Sequence, residues 1–259
     1  MSQAKSISCR LLAGMLTLLI TLGLSSAVQA GGHESASERV LVAGATGGTG
    51  REVVSELQAQ GYQVRAFVRD EAKAREVLGD DVEYAVGDVR DRASIDAALE
   101  DVDVIISAIG AGRSDPANGP EFVDYGGVKN LAEAATAAEL RQLVLVSSMG
   151  VTQEDHVLNR MFNNVLIWKF KGEEALRNSG VPYTVVRPGG LVNKPGGEKA
   201  VVFAQGDEAA GAIPRADVAK VCVAALDSPD ALNKTFEINS GKSAPSVSFA
   251  ESFAALATD

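Results

Sequence analysis

Residues 39–69 constrain this chain most. A short β-branched run, Arg39-Val40-Leu41-Val42-Ala43, leads into Gly44-Ala45-Thr46-Gly47-Gly48-Thr49-Gly50. Residues 51–57 then space their apolar side chains at the helical period, and Gln63-Val64-Arg65-Ala66-Phe67-Val68 returns to strand-like composition. The order strand, tight turn, helix, strand makes a βαβ unit with parallel, buried strands. Glycines in the turn let the backbone come close to a ligand. The helix that follows presents unpaired N–H groups where negative charge is welcome. A dinucleotide pyrophosphate needs that arrangement. The spacing is G-x-x-G-x-x-G, so the glycines take their meaning from the strand and helix on either side.

The end of the second strand selects the cofactor. An NAD site usually carries an acid there for the ribose 2′-hydroxyl. Here Arg69 holds the place, with Arg65 and Lys73 nearby. A guanidinium suits the 2′-phosphate of NADP through paired, charge-assisted hydrogen bonds. Asp70 follows at once and keeps NAD open as an alternative; Arg69 as a solvated strand end is the plainer reading.

The alternation continues down the chain. Strands are expected at 82–86, 102–107, 142–146 and 183–187, and helices at 94–99, 122–138 and 162–178. The C-terminal part reads as a strand near 199–203, a helix at 218–226 capped by 214–217, a strand at 234–239 and a helix at 246–256. Such alternation predicts an α/β fold, a doubly wound parallel sheet of Rossmann type with a small C-terminal lobe. Ligands in such sheets bind outside the carboxyl ends of the strands. Residues 44–50, Arg69, Asp88, 108–110, Ser147, Ser148 and 188–190 fall at those ends and converge on one crevice. Asp88 either meets the adenine there or caps a helix starting near Arg90.

Composition limits the rest. Residues 1–30 read as a secretory signal: Lys5 and Arg10, an apolar run of 14 residues at 11–24, then small residues before a cut after Ala30. The run is short of the ~20 residues of a spanning helix. Residues 31–38 read as a linker, and 39–259 as a single domain large enough for one sizeable core. The formal charge is −10, and −12 once Lys5 and Arg10 leave with the signal. That balance opposes nucleic-acid binding. Cys9 leaves with the leader, and Cys222 lies in an apolar helical run that suits core packing. His33 and His156 have no recognisable partner set, so no metal is expected.

The motifs Val42-Ala43-Gly44-Ala45-Thr46-Gly47-Gly48-Thr49-Gly50, Phe67-Val68-Arg69-Asp70, Gly87-Asp88-Val89-Arg90-Asp91, Tyr183-Thr184-Val185-Val186-Arg187-Pro188-Gly189-Gly190-Leu191 and Arg215-Ala216-Asp217-Val218-Ala219 span nearly the whole chain after Glu38. Together they resemble the atypical short-chain dehydrogenase/reductase superfamily, and most of all its NAD(P)H-binding, NmrA-like subgroup. The resemblance implies cofactor contacts at Thr46, Gly47, Gly48, Arg69, Asp88, Val89, Ala108 and Ile109. With the turn and strand ends, the expected cofactor-binding set adds Gly44, Thr49, Gly50, Gly110, Lys169 and Pro188.

Reductases of this superfamily resemble one another in a Ser, Tyr and Lys set, in which a tyrosine moves the proton and a lysine four residues later holds the ribose. Tyr125 and Lys129 have that spacing, but they precede the strand that supplies the serine, so the pair reads as a coincidence of helix packing. Lys169 resembles the family lysine. Four residues before it stands Val165, which transfers no proton. Ser148 is the expected serine, with Ser147 as its rival, and Met149 follows as pocket wall. Trp168 either lines the pocket or fills the core. The expected function is an NADPH-dependent oxidoreductase acting on a small acceptor, whether flavin, quinone or carbonyl. The alternative is a non-catalytic NADP-binding redox sensor or scaffold. An exported location, periplasmic or secreted, is expected if the signal is cleaved, and a membrane-anchored or cytoplasmic one otherwise.

Overall fold

The computed structural model describes residues 38–112, 116–244 and 247–259, all within one compact unit. The signal and linker expected before Glu38 lie outside the described residues. Five parallel strands come first: β1 (Arg39–Ala43), β2 (Gln63–Val68), β3 (Glu83–Val86), β4 (Val104–Ser107) and β5 (Gln142–Val146). They are followed by β6 (Tyr183–Pro188), β7 (Gly190–Val192), β8 (Val201–Ala204), β9 (Ala212–Pro214) and β10 (Lys234–Ser240). The main sheet runs β3-β2-β1-β4-β5-β6-β10-β8. All its pairs are parallel except β10 with β8, an antiparallel edge. Strands β7 and β9 pair separately as the small lobe. The chain order reverses between β1 and β4, which is the switch point where a doubly wound sheet opens a crevice.

Helices cover both faces. The helices are α1 (Gly48–Ala59), α2 (Glu71–Leu78), α3 (Arg92–Ala98), α4 (Val128–Ala137), α5 (Val157–Met161), α6 (Val165–Arg177), α7 (Arg215–Ala224) and α8 (Phe249–Ala254). Strand alternation sorts the core. Val40 and Val42 of β1 face Val53, Leu57, Val218 and Val221 of α1 and α7, while Leu41 and Ala43 face Ile95, Leu131 and Leu176 of α3, α4 and α6. Each such buried Leu or Ile contributes about 1.5–3 kcal/mol. Cys222 is fully buried on α7, and burial pushes its thiol up to about 12, well away from reactivity.

Several expected helices differ from the structure. The one expected at 122–138 begins as a π-helical segment, Glu121–Gly127, before α4 takes over. The one expected at 162–178 starts at Val165, because Asn163 and Asn164 both adopt the left-handed conformation (φ 52° and 60°) and end the separate turn α5. Asn, with its short polar side chain, tolerates that region better than most residues. Residues 215–217 form the first turn of α7, not a cap before it. Helix α2 was not foreseen; Asp70 caps it, accepting the Lys73 N–H at 3.2 Å. The closing helix is shorter than expected and is started by a reciprocal Ser248–Glu251 cap.

Candidate functional site

The glycine turn is built by close packing. Gly44 has φ +80°, and a Cβ there would lie 2.7 Å from the Ala108 carbonyl oxygen on the neighbouring loop. A Cβ on Gly50 would overlap the Gly44 carbonyl oxygen. The turn is closed by the Gly47 N–H donating to Gly44 O at 3.0 Å. Helix α1 starts with no capping side chain and no acid in its first turn. Its leading N–H groups, with the positive end of the helix dipole, therefore face the crevice ready for an anion.

Beside the turn lies a cleft of about 200 Å³ over the ends of β1, β2, β3 and β4. Of the expected cofactor residues, Gly44, Thr46, Gly47, Arg69, Asp88, Val89, Ala108, Ile109 and Gly110 line it together. Gly48 faces a different groove, Thr49 is buried behind the turn, and Gly50 packs beneath it. Lys169, Ser148 and Pro188 do not line this cleft. A floor of glycine backbone and free helix N–H groups, with an arginine at the rim, fits a dinucleotide.

The basic residues around the cleft divide. Arg69 is exposed at the lip, where its Nη1 makes a long 3.5 Å approach to Asn118 Oδ1 and its charge acts on Asp88. Arg65 instead stands near the start of β2, away from the cleft, where it is buried and donates to Glu83 and to the Ala98 carbonyl. Lys73 pairs with Asp70 at 3.0 Å, out in solvent. Asp70 is thus engaged at the start of α2, and the Lys73 ammonium holds its carboxyl below the usual range. Asp88 does not cap the next helix; Asp91 does. Asp88 is gripped by Arg90 at 2.6 and 2.9 Å, which also lowers its pKa.

At the other end of the crevice, Lys169 forms an ion pair with Asp124, Nζ to Oδ1 2.8 Å. Asp124 is fully buried on the π-helical segment, and its Oδ2 accepts the Ala111 N–H at 3.0 Å. One carboxylate therefore ties the lysine to the loop that also walls the cofactor cleft. π-Helical turns recur at functional sites. Sequence reading missed Asp124, although an acid inside the apolar stretch Phe122-Val123-Asp124 was a signal. Replacing it with Asn leaves the half-buried ammonium without its countercharge. Asp124→Asn should lower stability by about 1–3 kcal/mol, seen as an earlier urea midpoint; an unmoved midpoint would sink this assignment.

Val165 stands one helical turn from Lys169 and lines a groove of about 280 Å³ with Ala111, Pro120, Met161, Phe162 and Asn163, of mixed apolar and polar character. Gly112 borders both this groove and the cofactor cleft. Ser148 donates to the Met149 carbonyl at 3.0 Å, whereas Ser147 is buried and donates to Glu173. Glu173 also accepts from Arg187 at 2.6 and 3.0 Å and from Arg177 at 2.7 Å. Arg187 reaches Glu237 at 3.3 Å. Burial pushes the Glu237 carboxyl up. Tyr125 stacks on Trp168 with ring centroids 6.0 Å apart, and Lys171 sits over the indole. Lys129 leans toward Glu133 at 3.8 Å, so Tyr125 and Lys129 make no joint site. Among the described residues, no group of three metal-binding side chains comes together, and no helix is long and apolar enough to cross a membrane.

A parallel sheet with a glycine turn, an uncapped helix start and a rim arginine defines a Rossmann-type nucleotide-binding protein. A family profile described as NAD(P)H-binding matches residues 44–229, and the chain belongs to that family, within the atypical short-chain dehydrogenase/reductases. Among similar chains, an uncharacterized chloroplastic protein of Arabidopsis thaliana is 39% identical, over 85% of this chain and 75% of its own. Sanguinarine reductase of Eschscholzia californica is 36% identical, over 78% of this chain and 88% of its own. A solved Bacillus halodurans protein, classed provisionally as an NAD-dependent epimerase/dehydratase, superposes with TM-score 0.73 at 28% identity, covering 85% of this chain and all of that one.

Proposed function

We propose that the protein is an NADPH-dependent oxidoreductase whose residues 39–259 form one cofactor-binding domain. The observation that carries the NADP preference is the division of labour after β2. Arg69 stands exposed at the cleft lip, while Asp70, the acid that would serve NAD, is engaged by Lys73. The glycine turn and the start of α1 hold the pyrophosphate, and Val89 and Ile109 flank the adenosine half. Bound NADPH supplies hydride. Lys169, oriented by Asp124, holds the ribose hydroxyls. Gly112 brings the groove beside Val165 to the edge of the cofactor cleft, so a small acceptor with both apolar and polar groups fits there.

Val165 replaces the usual proton donor. An acceptor that takes its proton from solvent, such as a flavin or quinone, suits this site better than a simple carbonyl. The resemblance to sanguinarine reductase supports a reductase. The same valine favours the second reading, a redox sensor that binds but does not turn over. Titration of the full chain with the four nicotinamide dinucleotides, followed by turnover with flavins, quinones and carbonyls, separates them. Arg69→Ala should weaken NADPH binding at least tenfold and leave NADH within twofold; equal losses for both would overturn the NADP preference. For the leader, an export signal cut after Ala30 predicts a mature N-terminus at Gly31, read by mass spectrometry.

A further inference from the structure

The geometry points to a second anion site on the other side of the glycine turn, formed by Arg215, Arg51 and Lys194 and taking a phosphate or carboxylate group. These three cations line a groove of about 550 Å³ between α1, the start of α7 and the residues just after β7. One acid, Glu52, shares it, so the lining carries a net charge near +2 in a chain whose total is −10.

Ion pairing elsewhere makes the cluster stand out. Arg39, Arg65, Arg75, Arg92, Arg141, Arg177 and Arg187 all meet carboxylates within 4 Å. Among the described residues, no carboxylate stands within ion-pair distance of Arg51, Lys194 or Arg215. An acidic protein that leaves three neighbouring cations unmatched keeps a positive potential in that groove.

Arg215 is placed, not loose. Its Nη1 donates to Asn193 Oδ1 at 2.6 Å. Its Nε lies 2.7 Å from the position a Cβ on Gly48 would occupy. A side chain at 48 would push the guanidinium away, so the glycine makes room for the arginine. Gly47 lines the cofactor cleft and Gly48 lines this groove. The two cavities therefore meet at the start of α1, whose uncapped N–H groups add to the attraction. A guanidinium held flat by one partner keeps its other N–H edge for an oxyanion.

Two sources share this chemistry: the pyrophosphate of the dinucleotide, which rests on the function proposed above, and an acidic group on another ligand, which does not. The test is a calorimetric titration of the full chain with inorganic pyrophosphate at fixed ionic strength. Arg215→Gln should weaken binding at least tenfold, Gly48→Ala several-fold by displacing the guanidinium, and the solvent-exposed Lys194→Gln a few-fold, each with circular dichroism matching the parent. Should Arg215→Gln fail to fold, Lys194→Gln and Gly48→Ala carry the test. Competition between pyrophosphate and NADPH assigns the site to the cofactor; simultaneous binding assigns it to a separate acidic ligand. Absent binding by the parent, or affinity unchanged in the folded variants, overturns the site. A parent that binds pyrophosphate but no dinucleotide keeps the anion site and overturns the proposed function instead.

Discussion

Glu173→Gln is expected to lower the melting temperature by on the order of 10 °C. Glu173 is fully buried and accepts from Ser147, from Arg187 in a two-pronged pair, and from Arg177. The amide keeps the shape but removes the charge, and it turns an acceptor into a donor facing guanidinium N–H groups. Breaking a buried pair by removing one partner costs about 3–5 kcal/mol. For a domain of this size each kcal/mol is worth roughly 2–4 °C. Glu237 cannot take over. It meets Arg187 only at 3.3 Å, and its other oxygen has no hydrogen-bond partner among the described residues. Removing the charges together, as in Glu173→Met with Arg187→Met, should cost less than the two single changes summed. A thermal melt of the single variant within 2 °C of the parent would show that the network is not what holds β5, β6 and β10 to α6.

The second large effect falls on the turn. Gly50→Ala places a methyl group on the Gly44 carbonyl oxygen, and the atoms it meets are all backbone. No rotamer relieves that contact, so the turn must open. Gly44 has little room to yield, because Ala108 stands against it. Opening the turn tilts the first N–H groups of α1 away from the pyrophosphate position. NADPH binding, followed by nicotinamide fluorescence, should fall at least a hundredfold, with a drop of several degrees in melting temperature. Affinity within twofold of the parent would mean that the turn is not the cofactor's seat.

Local chemistry explains how much of this was legible in the sequence. The turn, its flanking strands and Arg69 lie within about thirty consecutive residues, so their spacing alone carries the meaning. The strand ends were readable for the same reason, and nine expected cofactor residues do gather in one cleft. What the sequence hid is assembled across distance. Arg187 and Glu237 sit on neighbouring strands, and Glu173 reaches them from α6. Along the chain Glu173 reads as a surface residue four before Arg177. Arg65 looked like part of the basic rim, yet it stands near the start of β2, at the end of the strand away from the cleft, where it bonds Glu83 and the Ala98 carbonyl. The antiparallel edge formed by β8 is equally silent, since strand direction depends on a partner more than thirty residues away.

The π-helical segment also bears on inheritance. In genetic terms, residues 121–127 accommodate one surplus codon without forming a loop. Loss of one codon between Asp124 and α4, at residues 125–127, would restore the α repeat and turn the preceding helical residues by about 100° relative to α4. Asp124 would swing off Lys169 while the core residues of α4 stayed in register. A change of length by one residue would thus re-aim the lysine's partner and the Ala111 loop in a single event, an effect that no single substitution in this stretch could reproduce.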